Sequence, residues 1–240
     1  MAIIPQIITE DRASGAQVID GSLKFDKDLT YYLTKTLSSV GNQRTFTFSC
    51  WCKRSSFGTH SALFSSSGNG DFFKFSFRDD NRFEINTTDG GVDSTHLFST
   101  ARFRDTSWYH IVIAFDTTQV TSTNRVKFYV NNTQITDFDL GTYPGQNADT
   151  SANDNVQHII GNQVGTTRYF DGMISNVHMI DGQQLAPTEF GFTDPLTGTW
   201  RPKKYTGTYG TNGFYLPMDG NSSIGEDKSG RGNNLSLIHI

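Results

Sequence analysis

The chain has 240 residues, 35% of them hydrophobic and 13% aromatic, with 19 Phe, 23 Gly and a formal charge of −4. That length buries a sizeable core, and a composition rich in rings and turn residues favours short strands over amphipathic helices. Scattered Lys and Arg in an acidic chain give no polyanion track, which excludes nucleic acid as a partner, and no stretch approaches the ~18 apolar residues of a membrane span.

In chain order, Gln17–Phe25 reads as a first pair of strands punctuated by Asp20-Gly21. Thr45–Lys53 alternates, with Phe46, Phe48, Cys50 and Cys52 on one face and Thr, Ser and Trp51 on the other. The two cysteines lie ~6.5–7 Å apart on one strand face, too far for a comfortable disulfide. A lone C-x-C is a poor zinc signature, so both are expected to be buried and reduced. Ala62–Ser66 and Phe72–Phe77 flank a Ser-Ser-Gly-Asn-Gly turn, and Arg82–Thr87 runs into the loop Thr88-Asp-Gly-Gly-Val-Asp. Trp108–Phe115 is apolar on both faces and reads as a central strand covered on each side. Trp108 and His110 are accordingly expected in the core, His110 hydrogen-bonded there. Arg125–Val130 alternates into Asn131-Asn132, a pair suited to closing a hairpin. Gly141–Asn155 reads as a long exposed loop, and His158–Gly161 and Gly172–Ile180 complete about ten short strands. Such a series without helical crossovers argues for two stacked antiparallel sheets.

Four stretches carry a resemblance: Phe46–Lys53, Asp105–Asp116, Val126–Asn132 and Phe170–Gly182. They resemble, in order, the successive signatures of laminin G-like jelly rolls of the concanavalin A-like lectin/glucanase superfamily. The fold expected is all-β, a two-sheet antiparallel jelly-roll sandwich with a C-terminal extension. The expected division is 1–16 as lead-in, 17–190 as the jelly roll, 191–212 as a linker or wrapping arm, and 213–234 as the start of a further strand or region. Residues 235–240 are expected to be non-native read-through of a longer natural chain, with a genuine apolar tail strand as the alternative. One back-translation of them, CTG TCT CTT ATA CAC ATC, is the mosaic-end sequence of a transposase adaptor used in sequencing libraries. Ile4–Asp11, Gly15–Leu23, Gly213–Asp219 and Asp227–Asn234 are similar to the marine tailed-phage branch, whose domains occur in virion and tail-fibre proteins. The resemblance implies a virion-associated adhesion module. Its expected partners are a host glycan, other virion proteins and further copies of itself. A ligand-free spacer and a polysaccharide depolymerase are the alternatives. The first ten residues lack the basic n-region and long apolar core of a secretory signal, so synthesis in the host cytoplasm is expected.

Glycoside hydrolases on this scaffold need two carboxylates at neighbouring strand positions, ~5.5 Å apart for retention. No acidic-x-acidic strand run occurs here: Asp79-Asp80 and Asp137 with Asp139 read as turns, and Glu84 has no acidic neighbour at two, its one at four being Asp80 of that turn pair. A non-catalytic module is therefore expected. His110 and His178 lie in strand-like stretches without a nucleophile elbow or metal spacing. The resemblance also implies a Ca2+ at the sandwich rim, for which Asp89, Asp93 and Asn162 are the candidate oxygen ligands. Arg168 and Tyr169 are the candidate sugar contacts, offering a charged donor and a stacking ring.

Overall fold

The computed structural model describes residues 15–68, 70–89 and 92–238. The first fourteen residues of the expected lead-in, residues 239–240 and the side chains of Asp89 and Asp93 lie outside the described part. Among the described residues seventeen strands run in chain order: β1 (Leu23–Phe25), β2 (Tyr32–Thr36), β3 (Thr45–Arg54), β4 (Ser61–Gly68), β5 (Asp71–Phe77), β6 (Arg82–Asp89), β7 (Val92–Arg102), β8 (Trp108–Asp116), β9 (Val126–Val130), β10 (Thr133–Ile135), β11 (Phe138–Thr142), β12 (Gln157–Ile160), β13 (Gly172–Asp181), β14 (Gly191–Thr193), β15 (Trp200–Pro202), β16 (Phe214–Leu216) and β17 (Ser236–Ile238). One sheet has seven strands, ordered β1-β13-β3-β8-β9-β10 with β16 also on β13, and the other has eight, ordered β11-β7-β6-β5-β4-β12-β2-β17. All pairings are antiparallel. The jelly-roll sandwich expected from the sequence is the fold observed.

Phenylalanine fills the space between the sheets. Phe46, Phe48 and Phe115 from the seven-stranded sheet meet Phe64, Phe73 and Phe75 from the eight-stranded sheet at ring-centroid distances of 5.1–6.4 Å. Edge and tilted contacts dominate, as ring quadrupoles prefer. Strand alternation explains the arrangement, because every second residue of β3, β5 and β8 points inward. Cys50 and Cys52 lie in this row, buried and free as expected. Asn131 and Asn132 close the β9–β10 hairpin with φ of 48° and 71°, the left-handed pair a two-residue turn requires.

Three expectations change. Thr88–Asp89 and Val92–Asp93 are paired strand ends rather than loop, since Thr88 pairs Asp93 and Asp89 pairs Val92. Gly141–Asn155 is only partly exposed: Thr150–Asn153 is buried, tied by Thr150 Oγ1 to Gln43 O and by Ser151 Oγ to Ser66. β2, β7 and β11 went unpredicted, and in β2 the single buried residue, Leu33, offers no period to read.

The C-terminal extension packs on the sandwich. β16 pairs β13, Leu235 joins the core and β17 pairs β2. Before β16, the arm crosses the outer face of the seven-stranded sheet, where Phe190, Tyr205 and Tyr209 bury Val112 and Ile180 in a second apolar cluster. This arm supplies the second cover that a strand apolar on both faces demanded. Asp181 pins its far end, its carboxylate accepting from the backbone N–H groups of Asn42, Thr211 and Asn212 at 2.8–3.1 Å.

Buried histidines tie the layers together. Burial drives His110 and His178 down to about 3 and His158 to about 4. An unfolded chain takes up these protons near the ordinary 6.5 while the folded chain refuses them. Stability is therefore fully present above about pH 6.5 and falls as pH drops toward 4. Three such groups give a slope approaching ~4 kcal/mol per pH unit. Urea midpoints at pH 7, 5.5 and 4.5 are expected to decrease steeply; a flat profile would contradict the buried neutral state.

Candidate functional site

The sequence-predicted sugar contacts lie at one end of the outer face of the eight-stranded sheet. Strand alternation sends Lys74 and Ser76 from β5, Glu84 from β6, and His96 and Phe98 from β7 to that face, while Phe73, Phe75, Ile85 and Leu97 enter the core. The Glu84 carboxylate is the centre of the arrangement. It receives Lys74 Nζ at 3.0 Å, Ser76 Oγ at 2.9 Å and His96 Nε2 at 3.1 Å, with Arg78 Nη1 at 3.6 Å. Lys74 and Glu84 are both almost fully buried. Burial pushes the Glu84 carboxyl up, but Lys74 and the hydrogen bonds outweigh it, so it stays below its ordinary value. Burial also lowers Lys74, against the pull of Glu84. Arg78 in turn stacks 4.1 Å over the Phe98 ring.

Arg168 and Tyr169 come to this face from the loop after β12. Arg168 is held by its backbone carbonyl, which accepts from Ala62 N–H, and by Nη1, which donates to Gln163 Oε1 at 2.8 Å. The His60 ring nearby is lowered first by burial and next by the charge of Arg168. Tyr169 pairs with Tyr32 of β2, ring centroids 6.2 Å apart. Both predicted residues, consecutive in the chain, are half-buried. Two cations, Lys74 and Arg78, thus flank one carboxylate, and the charge of Arg168 is felt at Lys74, leaving an aromatic-edged face rich in hydrogen-bond donors. Lone charges in aromatic strands, Lys74 between Phe73 and Phe75 and Glu84 between Phe83 and Ile85, were the unused signal for this cluster.

The calcium candidates are not brought together. Ile160 pairs Phe64, Phe64 pairs Phe75 and Phe75 pairs Ile85, which fixes a common row across the sheet. Asn162 lies two residues beyond that row in one direction and Asp89 four beyond it in the other, a separation of ~20 Å at strand rise. The Asn162 side chain is spent locally, Oδ1 accepting from Gln163 N–H and Nδ2 donating to Thr166 O. Among the described residues no group of three or more His, Cys, Asp or Glu could hold a metal ion.

Trp108 is also displaced from its expected place. It begins β8 at the rim, pairs with Lys53, and remains 37% exposed on the side of the arm. His110 is buried as expected, but on the outer face of its sheet, under the arm.

Comparison with known proteins agrees with this architecture. A protein of Bacteroides ovatus ATCC 8483, a candidate carbohydrate-binding protein, superposes with TM-score 0.54 at 16% identity, over 91% of this chain and 59% of its own. The LG1-3 region of the laminin alpha2 chain superposes with TM-score 0.50 at 11% identity, over 68% of this chain and 31% of its own. The chain thus spans less than two thirds of either neighbour. No curated protein matches. The family model described as the concanavalin A-like lectin/glucanases superfamily matches residues 26–189. Covering more than half of the chain, on a fold that independently shows the two antiparallel sheets, this match places the protein in the concanavalin A-like lectin/glucanases superfamily.

Proposed function

We propose that this protein is a non-catalytic saccharide-binding module of a phage virion or tail fibre, acting in adhesion to the host surface. The observation that carries the reading is the meeting of Arg168 and Tyr169, with Tyr32, on an outer sheet face lined by donors. A ring offers a face to the C–H side of a pyranose, and a guanidinium offers a planar fork to its oxygens. Glu84, the carboxylate of this face, is held ionised by its partners, the wrong state for the general acid of glycoside hydrolysis. Membership of a lectin superfamily supports the saccharide, and the sequence resemblance supports the virion. Weak single sites on repeated copies would add up through multivalency.

A glycan array probed with multimerised full-length chain, with and without calcium, tests this. Binding to a defined glycan set is expected, reduced ~10-fold by Tyr169→Ala and insensitive to chelation. Absence of binding to every glycan would favour the spacer, and release of reducing ends would establish a depolymerase.

A further inference from the structure

All three tryptophans of the chain line a single cleft on the outer face of the seven-stranded sheet, remote from Arg168 and Tyr169. It measures about 500 Å3, within the range of small-ligand sites. Trp51 comes from the middle of β3, Trp108 from the start of β8 and Trp200 from the arm hairpin β14–β15, with Arg201 beside it. Alternation alone sends Trp51 outward, opposite the inward row of Phe48, Cys50 and Cys52.

The cleft is built rather than incidental. Trp51 faces His110 across the β3–β8 ladder, rings 4.9 Å apart and 23° from parallel. Trp200 Nε1–H donates to His110 Nδ1 at 3.0 Å. An indole nitrogen only donates, so Nδ1 carries the lone pair and Nε2–H is left to donate to Ser49 Oγ at 2.9 Å. That chain fixes both the tautomer of His110 and the plane of Trp200. Behind the indole stands Gly191, where a Cβ would meet Trp200 Cζ2 at 2.3 Å, so glycine lets the ring lie flat on its hairpin. Asp194 closes the turn, accepting from Leu196 N–H and Thr197 Oγ1 and facing Arg201 Nε at 3.0 Å. On the opposite wall, Ser175 Oγ donates to Gly21 O. The Trp51, Trp200 and Ser175 walls are therefore held before a ligand arrives, which spares ordering cost on binding.

We infer that this cleft is a second saccharide site, in which a neutral pyranose stacks on Trp51, Trp108 and Trp200, with His110 as the residue that positions Trp200. The inference rests on the module's being saccharide-binding but not on Arg168 or Tyr169. Rigid indoles supply large contact at low entropic cost. No carboxylate stands among the described lining residues, and the charge of Arg201 is balanced by Asp194, so the cleft selects an uncharged ring with a C–H face. Core packing leaves one fact without explanation: Trp108, 37% exposed, fills no interior space.

Tryptophan emission reports on this cleft alone, because no tryptophan lies elsewhere. The full-length chain is titrated with linear oligosaccharides of glucose, mannose, galactose and N-acetylglucosamine while emission is followed. A saturable shift with at least one of them is expected. Trp108→Ala, at an exposed strand end, should weaken binding by at least ~10-fold with the melting temperature unchanged. His110→Gln, which keeps an acceptor for the indole, should retain more affinity than His110→Leu. Array binding that leaves emission unchanged and survives Trp108→Ala overturns the cleft while sparing the proposed function. A shift produced by a proline-rich decapeptide and by no saccharide overturns it in favour of a peptide groove. Silence in both array and titration overturns both readings.

Discussion

Glu84→Ala is expected to destabilise the protein by ~3–5 kcal/mol, the usual cost of leaving one member of a buried ion pair without its partner. Lys74 has almost no access to water and, without Glu84, would either hold an uncompensated charge against Arg78 and Arg168 or give up its proton. Chemical denaturation of the single and double variants checks this. Lys74→Met combined with Glu84→Leu removes both charges and should recover most of the loss, since paired buried charges contribute little net stability over apolar residues of similar volume. If the double variant is as unstable as Glu84→Ala, the pair is not the source of the penalty. Binding measured on the stable double variant then tells whether this cluster serves the ligand or only the sheet.

Phe73→Ala should cost ~3–5 kcal/mol, in the range for deleting a buried ring and leaving its cavity. Phe73 touches Phe46 and Phe115 across the sandwich and Phe64 and Phe75 within its own sheet, with centroids between 4.8 and 6.2 Å. Its removal therefore opens the interface of both layers at once. For a chain of this size the melting temperature should fall by ~10 °C. Calorimetry would reveal it, and a fall of only a degree or two would mean that the neighbouring rings collapse into the gap.

Much of the sandwich was legible because period-two alternation is a local property. β3 announces its inward row in Phe46, Phe48, Cys50 and Cys52, and Asn131-Asn132 announces its own hairpin. β8 also announced that it is covered twice, yet not by what. Its second cover is the arm, whose Trp200, Tyr205 and Tyr209 are spread through Gly, Thr and Pro without a period to read. For the same reason the aromatic cleft escaped the sequence: its three tryptophans are 57 and 92 positions apart in the chain, and only pairing brings them together. The calcium candidates failed on the complementary point. Asp and Gly mark a loop, but only register tells which end of a sheet the loop occupies, and it puts Asn162 and Asp89 at opposite ends.

The pairing of β1 with β13 has a consequence for how the protein is made. Leu23 waits for Ile174, 151 residues later in the chain. At a synthesis rate of ~5–20 residues per second, that interval is ~8–30 s. β3 also waits for β13, its partner at Trp51 being Ser175, so the nascent seven-stranded sheet carries an open edge throughout. Such contacts fold slowly and expose strand edges to neighbours. Copies emerging side by side on one message would meet those edges before β13 does, and a chaperone that shields them should raise the yield of this protein.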